Sequence, residues 1–391
     1  MVSATIDQLR WNQLRKQYSF GENQSNFYEI TKSQLGLHST DYWTPYLSIW
    51  ARIGDYNARE VFEALNSGKH LLRTHAFRLT VHVIHQENYP MIISALGPRL
   101  YKYYSKHPRL KALSDNDVGK LIQTLVSLLE DEPLRMREIK QAMPQLGDHT
   151  SAILNLATAQ GKVVRATTPH AKSTLSSYVA ASTWLPDLKM DDSTEKEAII
   201  RLLLQYIDTF GPVTIDDFSW WLPLSKSDTK ENLETISENV IECEINGNTG
   251  YMTTNDYEMA SSLDQPSDHL VWFLPYEDHF PKAFILRHFY IDEETKEKLL
   301  PKSIRHYWPP DMTPPPQREY HGPIAAGQIR PSIWLDGKII GRWEMEEKND
   351  EFQIVRNIYR KVSREIVEII NRKQNDLEEF INKRLVPISK K

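Results

Sequence analysis

Phe210-Gly211-Pro212-Val213-Thr214-Ile215-Asp216-Asp217-Phe218-Ser219-Trp220-Trp221-Leu222 is the stretch that decides the fold. Gly211-Pro212 stops one helix, since proline has no N–H to continue it, and Thr214 can cap the next. Before the break lies a long helix, Thr194–Phe210. After it come a short helix, Ile215–Leu222, a further helix, Ser225–Ser237, and two strands, Val240–Ile245 and Gly250–Thr254. Asn246-Gly247 between the strands suits a tight hairpin, because both residue types tolerate positive φ. Helix, short helix, helix and hairpin within about sixty residues is the winged-helix plan, in which the helix before the hairpin can enter a major groove. Winged helices also serve as protein-interaction modules, so the order alone leaves both readings open.

The same order recurs upstream. Asp115–Leu129, Arg135–Met143 and Thr150–Ala159 read as helices; Gly161 stops the last, and Lys162–Ala166 leads toward Tyr178-Val179-Ala180 as a strand pair. Earlier still, an amphipathic helix over residues 3–19 is followed by a helix capped by Asn26 and ended by Gly36, then by helices at Pro45–Ile53 and Asn57–Leu65 and a β-branched strand at Leu79–Ile84. Downstream the pattern changes to strands: His269–Leu274, the pair Ser332–Leu335 and Lys338–Trp343 around Asp336-Gly337, and Phe352–Val355, with a closing helix at Ser363–Asn382. The expected class is α+β. Three tandem winged-helix modules, 1–112, 113–192 and 193–266, precede a small β-barrel-like domain with a C-terminal helix, 267–391. Trp308–Pro331 is a proline-rich loop, of a length that is usually functional.

Composition bounds the function. Hydrophobic residues at 40% and charged residues at 25% are ordinary globular values. Apolar runs such as Met91–Leu96 fall far short of the ~20 residues a bilayer crossing needs, and the first residues lack a basic-then-apolar leader. A single cysteine, Cys243, excludes an intrachain disulfide and a multi-thiolate zinc site, and a cytoplasmic location fits. No HExxH pairing or glycine-rich phosphate loop occurs, so neither metal nor cofactor is expected. Net charge is −5, yet residues 1–110 hold 13 Lys+Arg against 8 Asp+Glu. A basic face on an acidic body can attract phosphates over about a Debye length, ~8–10 Å; a merely solvated charged surface is the alternative.

Several segments together resemble a known family: Gln34-Leu35-Gly36-Leu37-His38-Ser39-Thr40, Trp50-Ala51-Arg52, Leu72-Arg73-Thr74-His75-Ala76-Phe77-Arg78-Leu79-Thr80-Val81-His82, and Ala95-Leu96-Gly97-Pro98-Arg99. Further on stand Gly211-Pro212-Val213-Thr214 with Trp220-Trp221, Phe273-Leu274-Pro275 with Asp278, and Arg330-Pro331-Ser332-Ile333-Trp334-Leu335-Asp336-Gly337 running on to Trp343. In this order and spacing the chain resembles the AlkZ/YcaQ-like family of bacterial winged-helix DNA glycosylases. The resemblance implies a C-shaped body gripping duplex DNA. It also implies excision of alkylated bases, in some members unhooking of interstrand crosslinks, without metal or cofactor. Family members carry Gln-x-Gln or Gln-x-Asp after Leu-Gly-Leu to position the attacking water; here those positions are His38 and Thr40.

Breaking an N-glycosidic bond requires stabilising an oxocarbenium-like sugar, delivering water to C1′ and supporting the leaving base. A neutral His38, with an ordinary pKa of ~6.5, can accept a proton from water, and Thr40 can hold the same water. Asp41 can stabilise a cation. The competing reading makes Ser39 or Thr40 a helix N-cap. Arg78, Thr80 and His82 share one face of an extended path, with Arg73 nearby, as a phosphate-facing set or a solvent face paired with acids. Arg99, Lys102, Lys106 and Arg109, interleaved with tyrosines, read as a backbone-tracking patch. His321 and Arg330 can probe a groove beside the lesion. Three functions follow: a DNA glycosylase with duplex DNA as partner and no obligate protein partner; a non-catalytic lesion sensor or regulator; or a protein scaffold.

Overall fold

The computed structural model describes residues 4–17, 26–68, 70–222, 224–263, 268–285, 290–291, 295, 330–349 and 351–390. The architecture is α+β. Helices begin where the sequence supplies caps. Thr5 and Gln8 form a reciprocal capping box at the start of Ile6–Lys16, and Thr194 and Glu197 do the same for Glu195–Phe210. Thr214 caps Ile215–Trp221, Ser225 caps Lys226–Thr235 and Ser363 caps Arg364–Phe380. Each such side chain accepts an N–H that the helix leaves unbonded.

Among the described residues, three antiparallel sheets organise the strands. Strands β1 (Leu37–His38), β2 (Leu71–His75), β3 (Val81–His85), β4 (Leu134–Arg135), β5 (Val163–Arg165) and β6 (Ser177–Ala180) form one sheet, in the order β1-β3-β2-β5-β6-β4. Strands β7 (Val240–Ile245) and β8 (Asn248–Thr253) form the hairpin around Asn246-Gly247. Strands β9 (Val271–Leu274), β10 (Ser332–Leu335), β11 (Lys338–Lys348) and β12 (Glu351–Ile358) form the third, in the order β12-β11-β10-β9.

A strand and a long helix are among the elements that escape the sequence reading. Strand β2 lacks the apolar–polar alternation of a half-exposed strand, because four of its five residues are buried. The helix Tyr89–Tyr104 carries Gly97 and Pro98 in its interior, which read as breakers. Gly97 is required there: a Cβ would come within 2.5 Å of the Ala159 carbonyl, so its absence lets this helix pack against Thr150–Ala159.

The sheets and cores cross the expected module limits. Strands β2 and β5 pair at Arg73 and Arg165, so the strands of residues 1–112 and 113–192 share one sheet. One apolar core runs from Leu9 through Leu96, Phe210 and Trp221 to Trp272 and Trp334. A second joins helices Thr44–Ile53 and Ala58–Ser67 to the third sheet and the C-terminal helix. Residues 110–180 keep a core of their own, around Ile122, Leu125 and Leu156. The C-terminal end therefore closes onto the first hundred residues. Trp43 Nε1 donates to Ser389 Oγ at 3.1 Å, and Arg384 pairs with Asp55 at 2.8 Å.

Candidate active site

The Leu35–Thr40 segment is turned into the protein by its backbone. Helix Phe27–Ser33 ends, Leu35 takes φ 60° and Gly36 φ 121°, and the chain enters β1. A Cβ on Gly36 would stand 2.9 Å from the Val83 carbonyl and 3.2 Å from Ile84 Cγ1. Both the φ and the close approach call for glycine. Gly36→Ala is expected to destabilise the fold by about 1–3 kcal/mol, read in chemical denaturation. A loss of under about 0.5 kcal/mol would show that the turn relaxes freely.

Within β1 and β3, Leu37 faces Val83 and His38 faces His82, and Ser39 N–H donates to the Val81 carbonyl at 2.8 Å. Directly opposed residues of an antiparallel pair project to the same face. The two imidazoles accordingly meet edge-on, with centroids 5.5 Å apart. His82 packs edge-on against Phe77 and Trp221, which stack on each other at 5.1 Å. His38 is 2% exposed and His82 fully buried.

The wall facing His38 comes from the segment after β9. Asp278 caps the short helix His279–Ala283, accepting from Phe280 N–H at 3.0 Å. Its carboxylate is anchored by Arg52, both guanidinium contacts at 3.0 Å, and by the Ser48 hydroxyl at 2.7 Å. Arg52 also donates to Gln17 Oε1 at 3.1 Å. Burial, the largest single influence, would raise the Asp278 carboxyl, but Arg52, His279 and the Ser48 hydrogen bond together outweigh it and hold the group at about 2. His279 donates from Nε2 to Gln34 Oε1 at 2.9 Å, since an amide oxygen can only accept. Lys282, one turn on, contacts His38 Nε2 at 3.1 Å and pairs with the Glu277 carboxylate, which lies 3.9 Å from that same nitrogen.

The electrostatics keep all three histidines neutral. Burial pushes His38 well below its ordinary value, and the positive charge of Lys282 adds to the effect. Burial, then Lys282, lowers His82 to about 3; burial, then Arg52, lowers His279 to about 3. His82 Nδ1 lies 3.1 Å from the Thr80 carbonyl, so it carries the proton and leaves Nε2 as an acceptor. Nδ1 of His38, Nε2 of His82 and Nδ1 of His279 have no hydrogen-bond partner among the described residues. Such a concentration of buried, polar, incompletely satisfied groups is uncommon outside functional sites. No group of three or more His, Cys, Asp or Glu suited to a metal ion occurs among the described residues.

Comparison with known proteins decides the family. The family described as DNA glycosylase AlkZ-like matches residues 32–377. This chain belongs to the AlkZ-like DNA glycosylase family. The solved structure of Streptomyces sahachiroi DNA glycosylase AlkZ shares its fold, with a TM-score of 0.76 at 15% identity over 99% of this chain and 98% of the other. No curated protein sequence matches the chain. Membership makes DNA the partner of this AlkZ-like protein. Among the described residues, no helix is long and apolar enough to cross a membrane.

In this AlkZ-like chain the residues singled out from sequence scatter. Thr40 is exposed at a bend beyond the strand, while the Asp41 carboxylate accepts from Trp43 and Thr44 N–H at 3.0 and 3.2 Å. Trp43 stands at the N-cap of helix Thr44–Ile53 without a side-chain cap bond, so neither Ser39 nor Thr40 takes the N-cap role expected of them. Arg78 and His82 do not share an extended face. Arg78 and Leu79 take φ 52° and 59° in the β2–β3 turn, and the strand begins only at Val81. Arg78 donates to the Trp220 carbonyl at 3.0 Å and lies 3.2 Å from that indole's centroid. Arg73 is 8% exposed, near the Ala166 carbonyl at 3.5 Å, so Arg73 and His82 are interior groups rather than a phosphate-facing set.

Arg99 bonds Glu195 and Asp228, at 3.0 and 3.4 Å, tying its helix to two others. Lys102, Lys106 and Arg109 are exposed beside Tyr103, whereas Tyr104 packs inward and bonds His75 Nδ1 at 2.9 Å. Arg330 lies 4.0 Å from Glu344, and His321 falls outside the described residues, as does most of the proline-rich loop. Sequence reasoning missed Glu277, His279 and Lys282. The signal was there as Glu277-Asp278-His279, three adjacent ionisable residues following an apolar strand.

Proposed function

We propose that this chain is a monofunctional glycosylase that hydrolyses the N-glycosidic bond of alkylated bases in duplex DNA, bulky or crosslinked adducts included, in repair or self-resistance. Its helix–hairpin units act as three tandem winged helices, 1–112, 113–192 and 193–266, ahead of a β-barrel-like domain, 267–391. The observation that carries the reading is the placement of His38. The first motif position lies at the end of a strand, against a carboxylate and an ammonium, inside a family defined by DNA glycosylases.

The chemistry follows from charge. An N-alkylated purine is already cationic and leaves with little protonation, so the protein must hold water and stabilise the developing sugar cation. Glu277 supplies the negative charge next to His38, and Thr40 sits at the exposed end of the same segment. Lys102, Lys106 and Arg109 offer exposed cations to phosphates. Since His38 is 2% exposed, the segment bearing Glu277 and Lys282 opens toward the flipped nucleotide during the reaction.

The test is incubation of the purified protein with duplex DNA containing N7-alkylguanine, followed by alkali. Strand breaks are expected at the adduct, and His38→Ala is expected to slow them by about 10²–10⁴-fold. Tight, salt-dependent binding with no breaks across several adducts overturns the reading. That outcome favours a non-catalytic lesion sensor. One observation supports this second reading: the acceptor nitrogen of His38 is already engaged by Lys282.

A further inference from the structure

We propose that Lys282 is a positioning residue of this site: its ammonium, paired with Glu277, locks His38 in the tautomer that carries its proton on Nδ1. Lys282 Nζ and His38 Nε2 are 3.1 Å apart, both within the buried interior, and the same ammonium is salt-bridged to the Glu277 carboxylate. An ammonium has three N–H donors and no lone pair, so the imidazole nitrogen must be the acceptor. A neutral imidazole has one lone-pair nitrogen and one N–H. With Nε2 accepting, the proton resides on Nδ1, the atom without a partner among the described residues.

Opposite it, His82 has the same tautomer but is anchored through the other nitrogen, with Nδ1 donating to the Thr80 carbonyl. The two rings, on directly paired residues of β1 and β3, thus present unlike polar atoms: an N–H from His38 and a lone pair from His82. In this state His38 is a hydrogen-bond donor to whatever enters beside it. It becomes a base only when Lys282 withdraws. The segment that carries Lys282 is clamped to helix Thr44–Ile53 through Asp278 and Arg52, and Trp220 Nε1 donates to the Lys282 carbonyl at 3.1 Å. The lock is therefore built into the packing of three parts of the chain. The tautomer stands apart from the glycosylase reading; its bearing on catalysis rests on that reading.

The experiment uses the full chain labelled with 15N-histidine. Long-range 15N–1H correlation spectra report the protonation of each ring nitrogen, and the His38 signals are assigned by their disappearance in His38→Gln. In the unaltered protein, His38 is expected to show a protonated Nδ1 and a lone-pair Nε2. Lys282→Met is expected to lose that pattern and Lys282→Arg, which keeps a cationic donor, to retain it. A proton on Nε2 in the unaltered protein overturns the proposal even if Lys282→Met fails to fold. So does an unchanged His38 pattern in a folded Lys282→Met. None of these readouts needs excision activity, so failure of the glycosylase reading is seen separately.

Discussion

Lowering the pH from 7 to 5 is expected to cost this protein about 4 kcal/mol of folding stability through His82 and His279, with His38 adding a loss of the same sign. Burial is the first cause of depression for all three, with His82 and His279 held at about 3 and His38 well below its ordinary value. The unfolded chain protonates these rings near pH 6.5, while the folded protein keeps them neutral. Below pH 6.5 the unfolded state therefore binds more protons, and stability falls as pH falls, until His82 and His279 titrate near 3. Each of these two rings contributes about 2 kcal/mol between pH 7 and 5, and His38 adds to the loss in the same direction. Their sum approaches the ~5–15 kcal/mol that stabilises a typical domain. Asp278, held at about 2, extends the loss to lower pH: its stabilisation is complete above the ordinary carboxylate value of ~4 and disappears as pH falls through 2. Urea unfolding at pH 7, 6 and 5 measures the slope. A stability constant to within about 1 kcal/mol across that range would mean that the cluster is open to water and not buried as described.

Asp278→Ala is the substitution with the largest expected effect on stability at neutral pH. Arg52 and Asp278 are both 0% exposed in their side chains and bonded at 3.0 Å. Taking one partner away strands a buried guanidinium, a loss that costs about 3–5 kcal/mol, more than the pair itself is worth. The Ser48 hydroxyl and Phe280 N–H lose their acceptor as well. Ser48→Ala, which leaves the ion pair intact, is the control and is expected to cost about 1 kcal/mol. Because Asp278 caps the short helix bearing Lys282, the substitution also loosens the contact between Lys282 and His38. A denaturation shift of under about 1 kcal/mol for Asp278→Ala would show that water reaches Arg52 in the folded state.

Most local elements were legible because their causes are local. Thr194 and Thr214 announce their helices through reciprocal bonds to residues three positions on, and Asn246-Gly247 announces its hairpin through the turn it requires. Strand β2 and helix Tyr89–Tyr104 were not legible, because burial on both faces and close packing against Ala159 override local preference. The surroundings of the basic residues were hidden for the same reason. Arg73, Arg78 and Arg99 look alike in sequence; one is buried, one lies on Trp220 and one is tied to two acids.

The sequence by itself determined the α+β order of elements, the family and the place of Leu35–Thr40. Gly36 has to be glycine wherever the chain turns this way, and the motif segments can be recognised without coordinates. Only the tertiary structure decided what His38 faces. Lys282 and Glu277 lie more than two hundred residues away, and they reach His38 because Arg52 and Asp278 clamp their segment onto the first helices. Protonation state, tautomer and burial depend on such distant partners, since charge and desolvation act through space and not along the chain.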